Sequence, residues 1–228
     1  MDSKQNCVAA QIEKHKQMLS NGVREISLTD MLTSEVCQQI LSECREFRDR
    51  IYTPLKTIFT FIKQVLNPDK SCKRAVTGVV VERLVLNGET ISANTGPYCK
   101  ARKRIPEEAV QDLVKVTGKM TSEKTLTPWR AYGRELKVFD GSTAKMSDTA
   151  ANQSEYPQVK NQKKGIGFPI IRFVVVMSLT VGTILNYAMS AYSGKGTGES
   201  SLLRSIFNCI KKDDIVLGDR YFPNFFTI

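Results

Sequence analysis

Two short apolar runs in the second half of the chain each end in an aspartate, and this feature constrains the fold more than any other. Asp140 follows the run LKVF, and Asp219 follows the run IVLG. Short runs rich in β-branched and aromatic residues are typical of strands. Carboxylates at the ends of neighbouring strands are held on rigid elements, and their hard oxygen atoms suit Mg²⁺. The pattern predicts a sheet with a metal-binding edge.

The order of the predicted elements brings these two runs together. The second half reads as four strands at residues 135–140, 172–179, 184–191 and 214–218, a polar loop at 141–164 and a helix at 199–211. If the first three strands form an antiparallel meander and the helix is a crossover, the fourth strand runs parallel to the first. Asp140 and Asp219 then emerge at one sheet edge, close enough to share a metal if their strands are adjacent.

Each aspartate also has an ordinary structural interpretation. Asp140 precedes Gly141 and could cap a turn, and Asp219 precedes Arg220 and could form an ion pair. Taken singly, each aspartate fits the structural interpretation better. Their matched placement after apolar runs, with a helix before the second, favours a site.

The first half of the chain predicts a helical module. Apolar residues recur at helical spacing in four segments, and each segment begins at a residue that favours a helix N-terminus, namely Ser34, Thr53, Ser71 and Pro106. Gly118 is expected to end the fourth helix. The chain is therefore predicted to belong to the α+β class.

A change of composition near Ser122 divides the chain. Residues 1–21 are polar and are expected to form a loose arm, whereas residues 22–121 form the helical domain. Polar residues follow Lys119, and β-type patterns begin shortly afterwards. Residues 122–228 are therefore predicted to form a second domain around the sheet.

The charge of the chain favours an anionic partner. The formal net charge is +10 and the isoelectric point is about 9.3, and lysines and arginines that neutralise phosphates strengthen nucleic-acid binding. A compact basic run lies between the third and fourth helices and contains Lys100, Arg102, Lys103 and Arg104. A solvated loop is the alternative, because charge runs usually face water. A membrane surface is the competing partner for the overall charge. We expect phosphate contacts at the basic run, so this domain is predicted to bind DNA.

Other patterns bear on the environment of the chain. Six cysteines are scattered without a C-x-x-C pair and His15 is the only histidine, so no zinc pattern exists. No signal peptide is evident at the N-terminus, and a cytoplasmic location with reduced thiols is expected. Residues 168–185 approach the length of a membrane span, but Pro169 and Arg172 within them favour a buried β-hairpin. No membrane partner is predicted.

Several motifs around the two aspartates resemble a known family. They are DGST (140–143), DTAANQ (148–153), YP (156–157), GIGFP (165–169), GKGTGE (194–199) and LGDRYF (217–222). Together they resemble the DDE transposases of bacterial insertion sequences, in particular the insertion sequence 4 family. Residues 94–106 resemble the N-terminal region of that family more weakly.

The resemblance implies a specific fold and chemistry. It implies an RNase H-like mixed sheet that holds three acidic residues, with Asp140 and Asp219 matching the first two as catalytic and metal-binding residues for Mg²⁺ (or Mn²⁺). A metal-activated water would hydrolyse the phosphodiester at each transposon end, and the freed 3′-hydroxyl would attack target DNA. The candidates for phosphate contact near the metals are Lys163, Lys164, Lys195 and Arg220; solvated surface is the alternative for the lysines.

The third acidic residue of the family, a glutamate in a tyrosine, arginine, glutamate signature, has no counterpart in this sequence. We therefore expect an incomplete RNase H-like core and a truncated, inactive form of a transposase. The alternative is a non-catalytic DNA-binding protein that occupies element ends, or pairs with full-length transposase and inhibits it. A homodimer is also possible under either interpretation. A general nuclease fits the two aspartates but not the further motifs.

Overall fold

The computed structural model describes residues 28–44, 50–88, 90–125, 127–161, 163 and 165–219. Over these ranges the chain forms eight α-helices, which are α1 (Leu28–Leu32), α2 (Glu35–Ser42), α3 (Pro54–Leu66), α4 (Cys72–Asn87), α5 (Gly96–Arg102), α6 (Glu107–Glu123), α7 (Ala150–Glu155) and α8 (Glu199–Ser205). The predicted arm at residues 1–21 lies outside the described residues. The mixed α+β class is confirmed.

The four predicted helix starts are confirmed at α2, α3, α4 and α6, whereas α1 was not predicted. Ser34 precedes α2, and the side chains of Thr53 and Ser71 accept hydrogen bonds from backbone N–H groups in the first turns of α3 and α4. Such caps satisfy N–H groups that have no partner within the helix. The basic run was predicted without an element of its own, but Lys100 and Arg102 lie in α5, and Lys103 and Arg104 follow it directly.

The prediction that Gly118 ends a helix is wrong. The helix α6 continues to Glu123. Gly118 lies inside this helix and packs against the sheet. A Cβ atom at Gly118 would lie 2.3 Å from the carbonyl oxygen of Ile184 and 3.1 Å from the Cα of Leu185. Glycine therefore lets α6 approach the backbone of the sheet.

The helical module has two apolar clusters. One joins α1, α2 and α6 through Leu32, Cys37, Leu41 and Leu113. The other surrounds Tyr98, which is fully buried and donates a hydrogen bond from its hydroxyl to Oε1 of Gln64 at 2.7 Å. Burial raises the pKa of Tyr98 to about 12. The buried hydroxyl of Tyr98 thus has a hydrogen-bond partner and joins α5 to α3.

The sheet contains four strands in the order β3-β2-β1-β4. The strands are β1 (Leu136–Lys145), β2 (Ile170–Ser178), β3 (Thr183–Ala191) and β4 (Ile215–Leu217). β1 pairs antiparallel with β2, β2 pairs antiparallel with β3, and β1 pairs parallel with β4. The predicted meander, its hairpin and the parallel fourth strand are therefore confirmed.

Two boundaries in the second half differ from the prediction. β1 does not end at Asp140 but continues to Lys145, because its later residues pair with the first half of β2. The predicted loop at 141–164 is therefore shorter, and it contains α7. The predicted helix at 199–211 is also shorter: α8 ends at Ser205, and a 3₁₀ turn follows at Phe207–Cys209.

The crossover helix α8 covers one face of the sheet. Its residues Leu202 and Leu203 and the following Ile206 pack with Val174 and Val176 of β2, and all five are buried. Burial of apolar surface of this kind is the main force that holds a helix on a sheet. No helix within the described ranges is long and apolar enough to cross a membrane.

Buried polar side chains join the sheet to α6. The Lys137 ammonium, only 2% exposed, donates to Oδ2 of Asp214 and to the carbonyl oxygen of Cys209, each at 2.7 Å. It also lies 3.7 Å from Oε2 of Glu135, whose other carboxylate oxygen accepts a hydrogen bond from Ser122 in α6. A buried charge needs such partners. The network therefore fixes β1 against the segment that enters β4.

Two helical glycines provide a matched test of the contact between α6 and β3. Gly118→Ala places its Cβ against the Ile184 carbonyl oxygen, so we expect destabilisation by about 2 kcal/mol or more, the scale of overpacking. Gly78 in α4 has no atom within 4 Å of the added Cβ, so Gly78→Ala is expected to be neutral or to stabilise by up to about 1 kcal/mol. Urea unfolding measures both, and equal effects would contradict this packing.

A second prediction concerns the buried lysine. Lys137→Met leaves Asp214 and Glu135 without their cation, so we expect a loss of about 3 to 5 kcal/mol in the free energy of unfolding. The control is Lys115→Met, which removes an exposed ion pair with Asp112 and is expected to change stability by less than about 1 kcal/mol. A loss at Lys137 no larger than at Lys115 would show that the network contributes little.

Candidate functional site

The parallel pairing of β1 with β4 sets the geometry of the two aspartates. The register pairs Leu136 with Ile215 and Val138 with Leu217. Continued for two residues, the same register places Asp140 opposite Asp219. Residues opposite each other in adjacent parallel strands point to the same face, and the strands lie about 5 Å apart. The continued register puts both aspartates on one face of the sheet. Asp140, however, lies in the middle of β1 opposite Val175 of β2, so its predicted placement at a strand end is wrong.

A close contact supports this continuation of the register. A Cβ atom at Gly218 would lie 2.4 Å from Cε2 and Cζ of the Phe139 ring. The ring thus lies directly over Gly218, which is the residue that the register places opposite Phe139. Because successive residues of a strand alternate between faces, Asp140 and Asp219 lie on the face opposite to this contact.

The surroundings of Asp140 test the interpretation that this residue caps a turn. Both aspartates are exposed, and Oδ1 of Asp140 accepts a hydrogen bond from the N–H of Gly141 at 2.8 Å. Gly141 pairs with Val174 inside the strand, so Asp140 does not cap a turn and that alternative is wrong. The alternative ion pair of Asp219 involves Arg220, which lies outside the described residues.

A further carboxylate lies near Asp140 and was not singled out from the sequence. A Cβ atom at Gly141 would lie 2.5 Å from Cδ of Glu199, so the Glu199 side chain packs directly on this glycine. Neighbouring strand residues face opposite ways, so Glu199 lies on the face of the sheet that Asp140 does not use. The described residues contain no group of three or more His, Cys, Asp or Glu side chains placed to hold a metal ion.

The predicted cations of the basic run have different environments. Lys100, Lys103 and Arg104 are exposed. Arg102 is half-buried: its guanidinium lies 4.6 Å from the centre of the Phe61 ring, and Nη1 donates to Oε1 of Gln64 at 3.3 Å. The structure therefore gives Arg102 a packing role in the helical module, and three of the four cations face solvent.

An arginine outside the basic run joins two of these cations in a cleft. Arg50, Lys100 and Arg104 line a cavity of about 660 Å³ together with Tyr52 and Pro97, and its lining contains no carboxylate from the part of the chain that the structure describes. Lys100 and Arg104 are four residues apart along the chain, which places them on one side of α5 and the turn that follows. Sequence reasoning missed Arg50 because it lies outside the cationic run and outside any predicted element.

The two described lysines that were predicted to contact phosphates near the metals lie on loops. Lys163 and Lys195 are exposed, whereas Lys164 and Arg220 lie outside the described residues. The segment before Lys163 is held by its own side chains: Nε2 of Gln153 donates to the carbonyl oxygen of Gly167 at 2.9 Å, and Nδ2 of Asn152 donates to that of Ser147 at 2.9 Å. These two amides therefore stabilise the loop.

Comparison of the chain with protein-family models, with curated proteins and with solved structures gives no match in any of the three. The function must therefore be argued from the residues and their geometry.

Proposed function

We propose that this chain carries two of the metal-binding carboxylates of a DDE-type DNA transposase, Asp140 and Asp219, on an RNase H-like sheet. The substrate would be double-stranded DNA at transposon ends and at the target. The observation that supports this proposal is the parallel register of β1 and β4, which sets Asp140 opposite Asp219 when it is continued two residues beyond its last pair, Val138 and Leu217. They were singled out from sequence motifs alone, so the geometry is independent support.

The donor set fits a hard divalent cation. Both aspartates are exposed, so water and phosphate oxygens have access to their carboxylates. Mg²⁺ commonly keeps several waters and takes one or two protein carboxylates together with substrate phosphates. Asp140 and Asp219 would hold Mg²⁺ (or Mn²⁺), which in such sites activates the attacking oxygen and stabilises the leaving oxygen of a phosphodiester.

The residues of the chain itself would contribute position and charge. Asp140 lies within the long central strand β1, and the Phe139 ring packs on Gly218, the residue before Asp219. Exposed cations at Lys163 and Lys195 would contact phosphates. Phosphoryl transfer depends mainly on positioning and charge neutralisation, so no nucleophilic side chain is required.

Metal binding is the direct test of the two aspartates. We expect the chain to bind Mn²⁺, and we expect Asp140→Asn and Asp219→Asn each to weaken the binding at least tenfold, because each removes a charged ligand. Asp213 is an exposed aspartate with positive φ, a conformation that asparagine also tolerates, so Asp213→Asn is the matched control. Electron paramagnetic resonance of free Mn²⁺ measures the affinity; equal affinities in all three variants would refute a shared site.

A second function is favoured by one observation, the absence of a third carboxylate beside the pair among the described residues. In this second function the chain binds DNA at element ends without cleaving it, alone or together with a full-length transposase. Both functions require DNA binding, and they differ in strand cleavage. We expect no cleavage of DNA that carries the element ends by this 228-residue chain in Mg²⁺ or Mn²⁺; robust cleavage would exclude the non-catalytic function.

DNA binding is predicted to depend on the cleft lined by Arg50, Lys100 and Arg104. Each phosphate contact on B-DNA contributes about 0.9 to the slope of log affinity against log salt concentration. Changing all three residues to glutamine is therefore expected to reduce the slope by about 2 to 3. Lys211→Gln, at an exposed position before β4, is the single-charge control.

Fluorescence anisotropy with a labelled duplex at several salt concentrations measures this slope. An unchanged slope in the triple variant would place the phosphate contacts elsewhere. If the unmodified chain shows no salt-dependent affinity for DNA, both proposed functions fail.

A further inference from the structure

A cavity lies between α6 and the sheet and is lined by residues different from those of the basic cleft. Its volume is about 420 Å³, which is within the range of pockets that hold small molecules. The lining comes from α6, from the start of β1, from the first half of β3 and from the 3₁₀ turn that precedes β4. Side chains distant along the sequence therefore converge on one enclosed space.

A buried amide forms part of the wall of this cavity. Asn186 of β3 is only 3% exposed. Its Oδ1 accepts hydrogen bonds from the N–H of Tyr187 at 2.9 Å and from Nε2 of Gln111 at 3.4 Å. Two donors at one oxygen fix the orientation of the amide, and Nδ2 donates to no group in the part of the chain that the structure describes. Because buried donors are normally paired, a ligand in the cavity is the partner that Nδ2 lacks.

The other buried polar side chains of the lining have partners within the protein. Ser122 donates to Oε1 of Glu135, and the Lys137 ammonium lies between Oε2 of Glu135 and Oδ2 of Asp214. This part of the wall is therefore fixed by its own hydrogen bonds and ion pairs. The Asn186 amide differs from it in having a donor to offer.

The rim of the cavity carries an excess of positive charge. Four lysines and two glutamates of the described residues line the cavity. Lys115 pairs at 3.0 Å with Asp112, and Lys119, whose side chain is 70% exposed, lies 3.8 Å from Oε1 of Glu123. Lys211 is exposed and forms no ion pair within the described ranges. The ammonium groups of Lys119 and Lys211 are thus available to an anionic group.

The lining also indicates the uncharged part of a ligand. The amides of Asn186 and Asn208 offer hydrogen bonds that hydroxyl groups can satisfy. The described residues place no aromatic side chain in the lining, so a nucleobase would find no ring on which to stack. The cavity therefore suits a molecule that carries several hydroxyl groups and an anionic group.

We propose that the cavity between α6 and β3 is a binding site for a sugar phosphate. The phosphate contacts the ammonium groups of Lys119 and Lys211 at the rim, and a sugar hydroxyl accepts the hydrogen bond from Nδ2 of Asn186. This inference is independent of the proposed functions, because it uses neither the two aspartates nor the basic cleft.

Isothermal titration calorimetry of the full chain tests the site, with glucose 6-phosphate and ribose 5-phosphate as probes. We expect at least one of them to bind about tenfold or more tightly than inorganic phosphate, which has no sugar hydroxyl for Asn186. Glucose and ribose without phosphate are expected not to bind. No binding of either sugar phosphate, or an affinity equal to that of inorganic phosphate, would overturn the proposal.

Two double variants with the same change in charge locate the binding. The Lys119→Gln, Lys211→Gln variant removes both rim cations and is expected to weaken sugar phosphate binding about tenfold or more. The Lys124→Gln, Lys212→Gln variant changes exposed lysines outside the lining and is expected to leave the affinity within about twofold. Equal losses in the two variants would show a general effect of charge and would contradict this site.

A single variant tests the buried amide. Asn186→Asp keeps an acceptor for Tyr187 and Gln111 but replaces the free donor with an oxygen, so we expect binding weaker by about tenfold or more. Circular dichroism measures whether this variant folds, and the exposed lysine variants test the site whatever that result is. Unchanged affinity in the folded Asn186→Asp protein would refute the contact with the sugar.

Discussion

The parallel pairing of β1 with β4 depends on a buried lysine, which links β1 to the segment that leads into β4. Lys137 lies in β1, and its ammonium binds Asp214 at the entry to β4 and the carbonyl oxygen of Cys209 at the end of the crossover. Asp214 also accepts a hydrogen bond from the N–H of Lys211 at 2.6 Å. The Lys137 ammonium therefore holds the turn that precedes β4. This turn sets the position of β4 and of Asp219, which follows β4.

The same region connects the sheet to the helices. Glu135 beside Lys137 accepts a hydrogen bond from Ser122, and Gly118 lets α6 approach β3 closely. α6 also packs against α2, so it belongs to the interior of both halves of the chain. The helices that carry the basic run are thereby held against the sheet that carries the two aspartates.

Periodicity and caps predicted the main helices and the hairpin because local sequence determines these features. The meander with a parallel fourth strand followed from connection rules. Contacts between distant residues could not be predicted: Gly118 has the sequence pattern of a helix end but serves close packing, and β1 extends past Asp140 because β2 provides partners for it. Arg50 joins the basic cleft only through the tertiary fold. The two aspartates were singled out because each follows an apolar run and lies in one of the motifs, although Asp140 lies inside β1 and not at its end.

The most direct test of the account is disulfide trapping between the two aspartate positions. In an Asp140→Cys, Asp219→Cys variant, the continued register places the two Cα atoms about 5 Å apart, which is within the range that a disulfide spans. We predict that mild oxidation links these two positions within one chain, as read from tryptic peptides. Failure of this link to form, under conditions in which cysteines at the paired positions Val138 and Leu217 become linked, would contradict the convergence of the two carboxylates.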